Sequence, residues 1–125
     1  MLAQLRAMGY RLAVLTNCDE DLFEQTHRAF QQRFDLVVTA ERVRDYKPSP
    51  AHFRFFSGLS GVAHQDWIHV ACSWYHDIRP ASEIGLKSVW LDRDATGEDD
   101  SIASAHVNSA GEVLDAVVKL WKETA

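Results

Sequence analysis

The sequence predicts an α/β protein: a parallel sheet of about four to five strands with flanking helices. Two observations carry that expectation. Short apolar runs alternate along the chain with segments of helical periodicity. Prolines and glycines stand where those helices would start and stop. Such alternation implies parallel strands joined by right-handed crossovers.

The elements follow in order. Met1 to Gly9 reads as the tail of a helix leading into Leu12-Ala-Val-Leu15, a run suited to a strand buried on both faces. Asp19 to Phe30 has acids in its first turn, where the helix dipole favours them. Its apolar face would be Leu22, Thr26 and Ala29 with Phe23 and Phe30. Leu36 to Thr39 is a second strand, and Lys47-Pro48-Ser49-Pro50 a turn of forced extended geometry. Pro50 can occupy the first turn of a helix over Ala51 to Leu59, which Gly58, Ser60 and Gly61 close. Trp67 to Ala71 is a third strand, Asp77 to Ile84 a helix stopped by Gly85, and Ser88 to Leu91 a fourth strand. Asp94 to Ser101 is a polar, acidic surface loop. Glu112 to Trp121 is an amphipathic helix with Val113, Ala116, Val117 and Leu120 inward.

Composition narrows the function. The 125 residues, 46% hydrophobic and 25% charged, suit one domain with one core, and no repeat or linker divides residues 1–125. No apolar run approaches the ~20 residues of a membrane span. Met1 leads straight into Leu-Ala-Gln-Leu-Arg, unlike a secretion signal, so a cytoplasmic location is expected. A net charge of −5 argues against a nucleic-acid partner. Cys18 and Cys72 have no metal-type spacing, and the six histidines show no paired ligand spacing.

In parallel sheets, ligands bind beyond the carboxyl ends of the strands. Thr16, Asn17, Cys72 and the stretch to Asp77 follow strand ends, and Lys47 lies in a loop after another, so one shared rim is expected. Thr16-Asn17 offers a hydroxyl and an amide beside a helix start, which suits an anion; alternatively Asn17 caps the helix. Lys47, held between Tyr46 and two prolines, presents a fixed charge to a carboxylate or anionic substrate, or is a solvated surface lysine. Asp77 ligates a cation, orients the lysine or activates water, or is a helix cap. Trp74 and Tyr75 wall a pocket or pack at its rim. A thiol nucleophile, Cys72 or Cys18, is a weaker candidate because no third orienting group is evident.

Taken together, these stretches resemble the haloacid dehalogenase-like hydrolases. Leu15-Thr16-Asn17 matches that superfamily's second motif and Lys47-Pro48 its third. His69-Val-Ala-Cys-Ser-Trp-Tyr-His-Asp77, with Pro80-Ala81 and Gly85-Leu86, matches the fourth. Val89-Trp90-Leu91-Asp92-Arg93 is similar to the ending seen in the 2-haloacid dehalogenase branch. The resemblance implies a Rossmann-like core with Lys47 and Asp77 as catalytic residues and Thr16, Asn17 and Ser73 as substrate-binding residues. It implies a small anionic substrate and attack by an aspartate on a first, central strand, with a helical cap after it. Neither is expected in residues 1–125, so the chain reads as the C-terminal part of the core, inactive alone.

Cys72 stands five positions before Asp77, where the metal-dependent phosphatase branches carry an acid. A thiol is a poor ligand for a hard cation, so no cofactor is expected, with room only for weak magnesium binding through Asp77. That favours a dehalogenase over a phosphatase. A missing central strand would leave backbone groups unpaired at roughly 1–3 kcal/mol each when buried. The flanking strands would then re-pair, leave the chain marginal, or recruit another chain. The alternative function is therefore a non-catalytic domain that binds or self-associates as a homo-oligomer.

Overall fold

Apolar runs and amphipathic segments form strands and helices in the expected alternation. The computed structural model describes residues 2–29 and 34–124, in two compact units that divide between Gly61 and Val62.

The first unit holds α1 (Leu2–Ala7), β1 (Ala13–Leu15), α2 (Glu20–Ala29), β2 (Leu36–Val38), α3 (Ala40–Val43) and α4 (Ala51–Ser60). β1 and β2 are parallel, with Ala13 opposite Leu36 and Leu15 opposite Val38. Asp35 fixes the start of this pair. Its carboxylate accepts the Leu12 N–H at 2.8 Å, and its own N–H donates to the Leu12 carbonyl at 2.7 Å.

The run from Leu12 is less covered than a strand buried on both faces: Leu12 is buried, Ala13 exposed, and Val14 and Leu15 half-buried. Among the described residues β1 pairs with β2 alone, so it is an edge of a two-stranded sheet. α2 keeps Phe23 of its expected apolar face inward but turns Leu22 outward. Phe23 and His27, one turn apart, are buried, while Leu22 is 51% exposed. The reason is Phe34, whose ring lies 6.3 Å from Phe23 and 5.4 Å from His27 and draws that face inward. Phe30 and the side chains of Thr26 and Ala29 lie outside the described residues. Thr39 ends the second run by capping α3, its hydroxyl accepting the Arg42 N–H at 3.1 Å. The four-residue α3 is too short to leave a periodic signature.

The second unit holds β3 (Ile68–Ala71), a π-helical turn (Trp74–Ile78), α5 (Arg79–Glu83), β4 (Lys87–Leu91), β5 (Ala105–Val107) and α6 (Val113–Thr124). The strand order is β3-β4-β5, all parallel. The chain is thus α/β, with parallel sheets of two and three strands and flanking helices. Val89, Trp90, Ile78, Ala81, Val113 and Val117 are among this unit's buried residues. The expected helix over 77–84 begins earlier and in two parts, because Ser73 rather than Asp77 caps it. Gly85 ends it at φ +75°, a conformation that costs glycine least. The acidic loop carries a short 3-10 turn, Asp100–Ile102, before β5. No described helix is long and apolar enough to cross a membrane.

Candidate functional site

The end of β1 and the Lys47 loop meet within the first unit. Asn17 Oδ1 accepts the Lys47 N–H at 2.7 Å, and Asn17 Nδ2 donates to the Lys47 carbonyl at 3.3 Å. The amide side chain therefore satisfies both backbone groups of one residue thirty positions away. Lys47 Nζ in turn donates to the Leu15 carbonyl at 3.0 Å, which places the ammonium at the C-terminal end of β1. Lys47 is half-buried rather than a solvated surface lysine, and its peptide bond to Pro48 is cis. Thr16 Oγ1 accepts the Cys18 N–H at 3.1 Å.

Asn17 is not the cap of α2. Asp19 takes that place, its carboxylate accepting the Leu22 N–H at 2.7 Å. An acid one position ahead of the helix caps it and also meets the positive dipole end, which leaves Asn17 for the loop.

Two residues that sequence reasoning passed over complete this arrangement. His52, fully buried on α4, donates from Nε2 to the Thr16 carbonyl at 2.8 Å. Asp45 organises the loop itself: its carboxylate accepts the Tyr46 N–H and the Ser49 hydroxyl, both at 2.8 Å. The Ser49 hydroxyl, followed by the Tyr46 N–H, holds the Asp45 carboxyl below the usual carboxylate range. An aspartate opening Asp-Tyr-Lys-Pro-Ser was a readable turn signal. A histidine in an apolar helix carried none.

In the second unit, β3 and the π-helical turn bring Asp77 against His69. His69 Nε2 donates to Asp77 Oδ1 at 2.9 Å, and both side chains are over nine-tenths buried. The turn is widened because the Ile78 N–H reaches the Ser73 carbonyl five residues back, at 3.2 Å. Such insertions recur at functional sites. Asp77 is thus an interior carboxylate held by an imidazole, not an exposed helix cap. Ser73 is the cap: Oγ accepts the His76 N–H at 3.1 Å and lies 2.9 Å from His76 Nδ1. Its hydroxyl is engaged locally. The two histidines near Cys72 are committed to Asp77 and Ser73, which weakens a thiol–imidazole pair. Trp74 is half-buried, its indole N–H donating to the Asp99 carbonyl at 2.9 Å. Tyr75 is 54% exposed, beneath the Arg79 guanidinium at 4.6 Å.

Thr16, Asn17 and Lys47 are therefore brought together in the first unit, and Ser73 and Asp77 in the second. Alternation along β3 was the available sign of His69, since a polar residue on the buried side of a strand needs a partner.

Comparison with known proteins places these stretches. Residues 1–91 match the family model described as haloacid dehalogenase-like hydrolase. A phosphoserine phosphatase of Thermus thermophilus is 34% identical over 100 residues, covering 78% of this chain and 40% of its own length. A glyceraldehyde 3-phosphate phosphatase of Methanocaldococcus jannaschii is 29% identical, covering 98% of this chain and 55% of its own. The solved structure of an L-2-haloacid dehalogenase superposes with a TM-score of 0.84 at 25% identity, over 94% of this chain and 53% of that one. The chain spans about half the length of the curated relatives it matches.

Proposed function

Since the chain belongs to the haloacid dehalogenase-like hydrolase family, we propose that it is the C-terminal part of a hydrolase of the 2-haloacid type. The substrate is a small 2-haloacid. In the complete protein an aspartate carboxylate attacks C2; the carbon–halogen bond breaks and halide leaves with the bonding pair. Water then attacks the resulting ester carbonyl and cleaves its acyl C–O bond, which releases the 2-hydroxyacid and a proton and restores the aspartate.

The residues described here supply charge and positioning. Lys47, fixed by Asn17 and the Leu15 carbonyl, stabilises a carboxylate beside it. Thr16 and Asn17 bind the substrate's carboxylate side. Ser73 contributes to substrate binding through its turn, and Asp77 orients water from its buried seat.

The observation that carries the dehalogenase reading is the chemistry of the Cys72–Asp77 segment. Magnesium prefers a near-octahedral set of oxygens. Here one Asp77 oxygen already accepts the His69 N–H, and Cys72 is a free, exposed thiol. This turn fits a magnesium ion poorly, so no step is assigned to one.

A phosphatase reading is favoured by the two phosphatase relatives, at 34% and 29% identity. Assays on the complete reading frame separate the two. Halide release from 2-chloropropionate without added magnesium supports the dehalogenase. Magnesium-dependent release of phosphate from small phosphomonoesters overturns it. The 125-residue chain alone is expected to release neither, and turnover by it would show that these residues need no further nucleophile. Lack of turnover with concentration-dependent oligomers in sedimentation would favour the binding or self-associating alternative.

A further inference from the structure

A second titratable cluster in the Val62 unit has no part in the chemistry above. His106, at the centre of β5, places Nε2 2.9 Å from Asp92 Oδ2 at the end of β4. Its Nδ1 lies 3.1 Å from Asp100 Oδ2 in the 3-10 turn. Carboxylate oxygens accept, so both ring nitrogens must donate, and only the imidazolium has two N–H groups. The ring also stacks on Trp90, with centroids 4.5 Å apart and planes 13° from parallel. An indole face attracts a cation. In this charged form both ring nitrogens are engaged by carboxylates.

The charged groups facing His106 are Asp92 from β4 and Asp100 from the turn. Trp90 covers its face, and the buried residues of α6, Val113 and Val117, carry no charge. The two carboxylates differ. The Asp92 side chain is 3% exposed and also accepts the Thr96 N–H at 3.2 Å. The Asp100 side chain is 63% exposed. Asp99, which caps the same turn, accepts the Trp74 indole N–H at its carbonyl. Trp74 opens the π-helical turn that contains Asp77.

We propose that His106 is a proton-operated clasp, which in its charged form ties the Asp100 turn to the end of β4 and steadies the Trp74–Ile78 turn through Asp99. Loss of the proton to solvent leaves one N–H. That hydrogen stays on Nε2, which donates it to the buried Asp92 carboxylate, and the bare Nδ1 lone pair then faces Asp100 Oδ2 and repels it. The clasp opens at its exposed arm. The Asp92 hydrogen bond, opposed by burial and reinforced by Asp100, raises the histidine's pKa above its ordinary value, so the clasp opens as pH rises through that raised value.

An NMR titration of the 125-residue chain tests this, following the His106 ring nitrogens, identified by their loss in His106→Gln, and the Trp74 indole N–H, identified by Trp74→Phe. The expected result is a His106 midpoint above the ordinary value of about 6.5, with the Trp74 signal moving at the same midpoint. Asp100→Asn, at an exposed position, should lower that midpoint and shift the Trp74 signal at pH 6 toward its high-pH position. A midpoint at or below the ordinary value, a Trp74 signal indifferent to the titration, or an unchanged midpoint in Asp100→Asn would each overturn the clasp.

Discussion

Asn17 and Lys47 hold one another through both backbone groups of the lysine, at 2.7 Å and 3.3 Å. One side chain thereby fixes the loop that carries the charge. Asn17→Ala removes both partners and leaves two part-buried backbone groups to find water. A cost of about 1–3 kcal/mol is expected. Urea denaturation of the two chains measures it, and a change under ~0.3 kcal/mol would mean the loop holds itself without Asn17.

The His69–Asp77 pair should respond asymmetrically to truncation. Removing His69 takes a hydrogen bond from a buried carboxylate, and a hydrogen bond to a charged group contributes about 1.5–3 kcal/mol. His69→Ala is therefore expected to be destabilising. Asp77→Asn keeps an acceptor oxygen for the His69 N–H and should cost clearly less. Thermal unfolding of both variants decides; equal losses would show that the charge of Asp77 matters more than its acceptor.

Acid should weaken the first unit through Asp35. Its carboxyl is held below the usual range, first by the Leu12 N–H, then by Arg6 against the opposing effect of burial. A depressed folded pKa contributes stability that is present above the unfolded value of about 3.9 and is lost as pH falls through the folded value. Asp35→Asn retains an acceptor for Leu12 and lacks that titration. Between pH 6 and pH 2.5 its urea midpoint should fall less than that of the parent chain. An equal fall would place the acid sensitivity elsewhere.

The regular part of this fold was legible because it depends on local pattern. Apolar runs marked β1 to β4, and Pro50 and Gly85 marked helix limits. What escaped depends on partners distant in sequence. β5 is three residues long with His106 at its centre, and only pairing with β4 makes it a strand. Periodicity places Leu22 inward because it cannot register Phe34 packing against Phe23 and His27. The site divides in the same way. Motif spacing points to Thr16, Asn17, Lys47, Ser73 and Asp77, and turn chemistry and strand alternation offer signs of Asp45 and His69, whereas His52 becomes visible only as a hydrogen-bond partner.

Two glycines make predictions of opposite sign. Gly85, between α5 and β4, has φ +75°, and a Cβ there meets nothing within 4 Å. Gly85→Ala thus costs backbone strain alone, roughly 1–2 kcal/mol for an L-residue in the left-handed region. Gly58 lies inside α4 with ordinary helical backbone, and its Cβ also has open space. Gly58→Ala should stabilise the chain by about 0.5–1 kcal/mol, because alanine loses less chain entropy on forming a helix. Melting temperatures that move down for Gly85→Ala and up for Gly58→Ala would support both assignments. A gain at Gly85 would mean the turn after α5 can adopt a negative φ, and the stop that ends the Asp77 helix would then lie elsewhere.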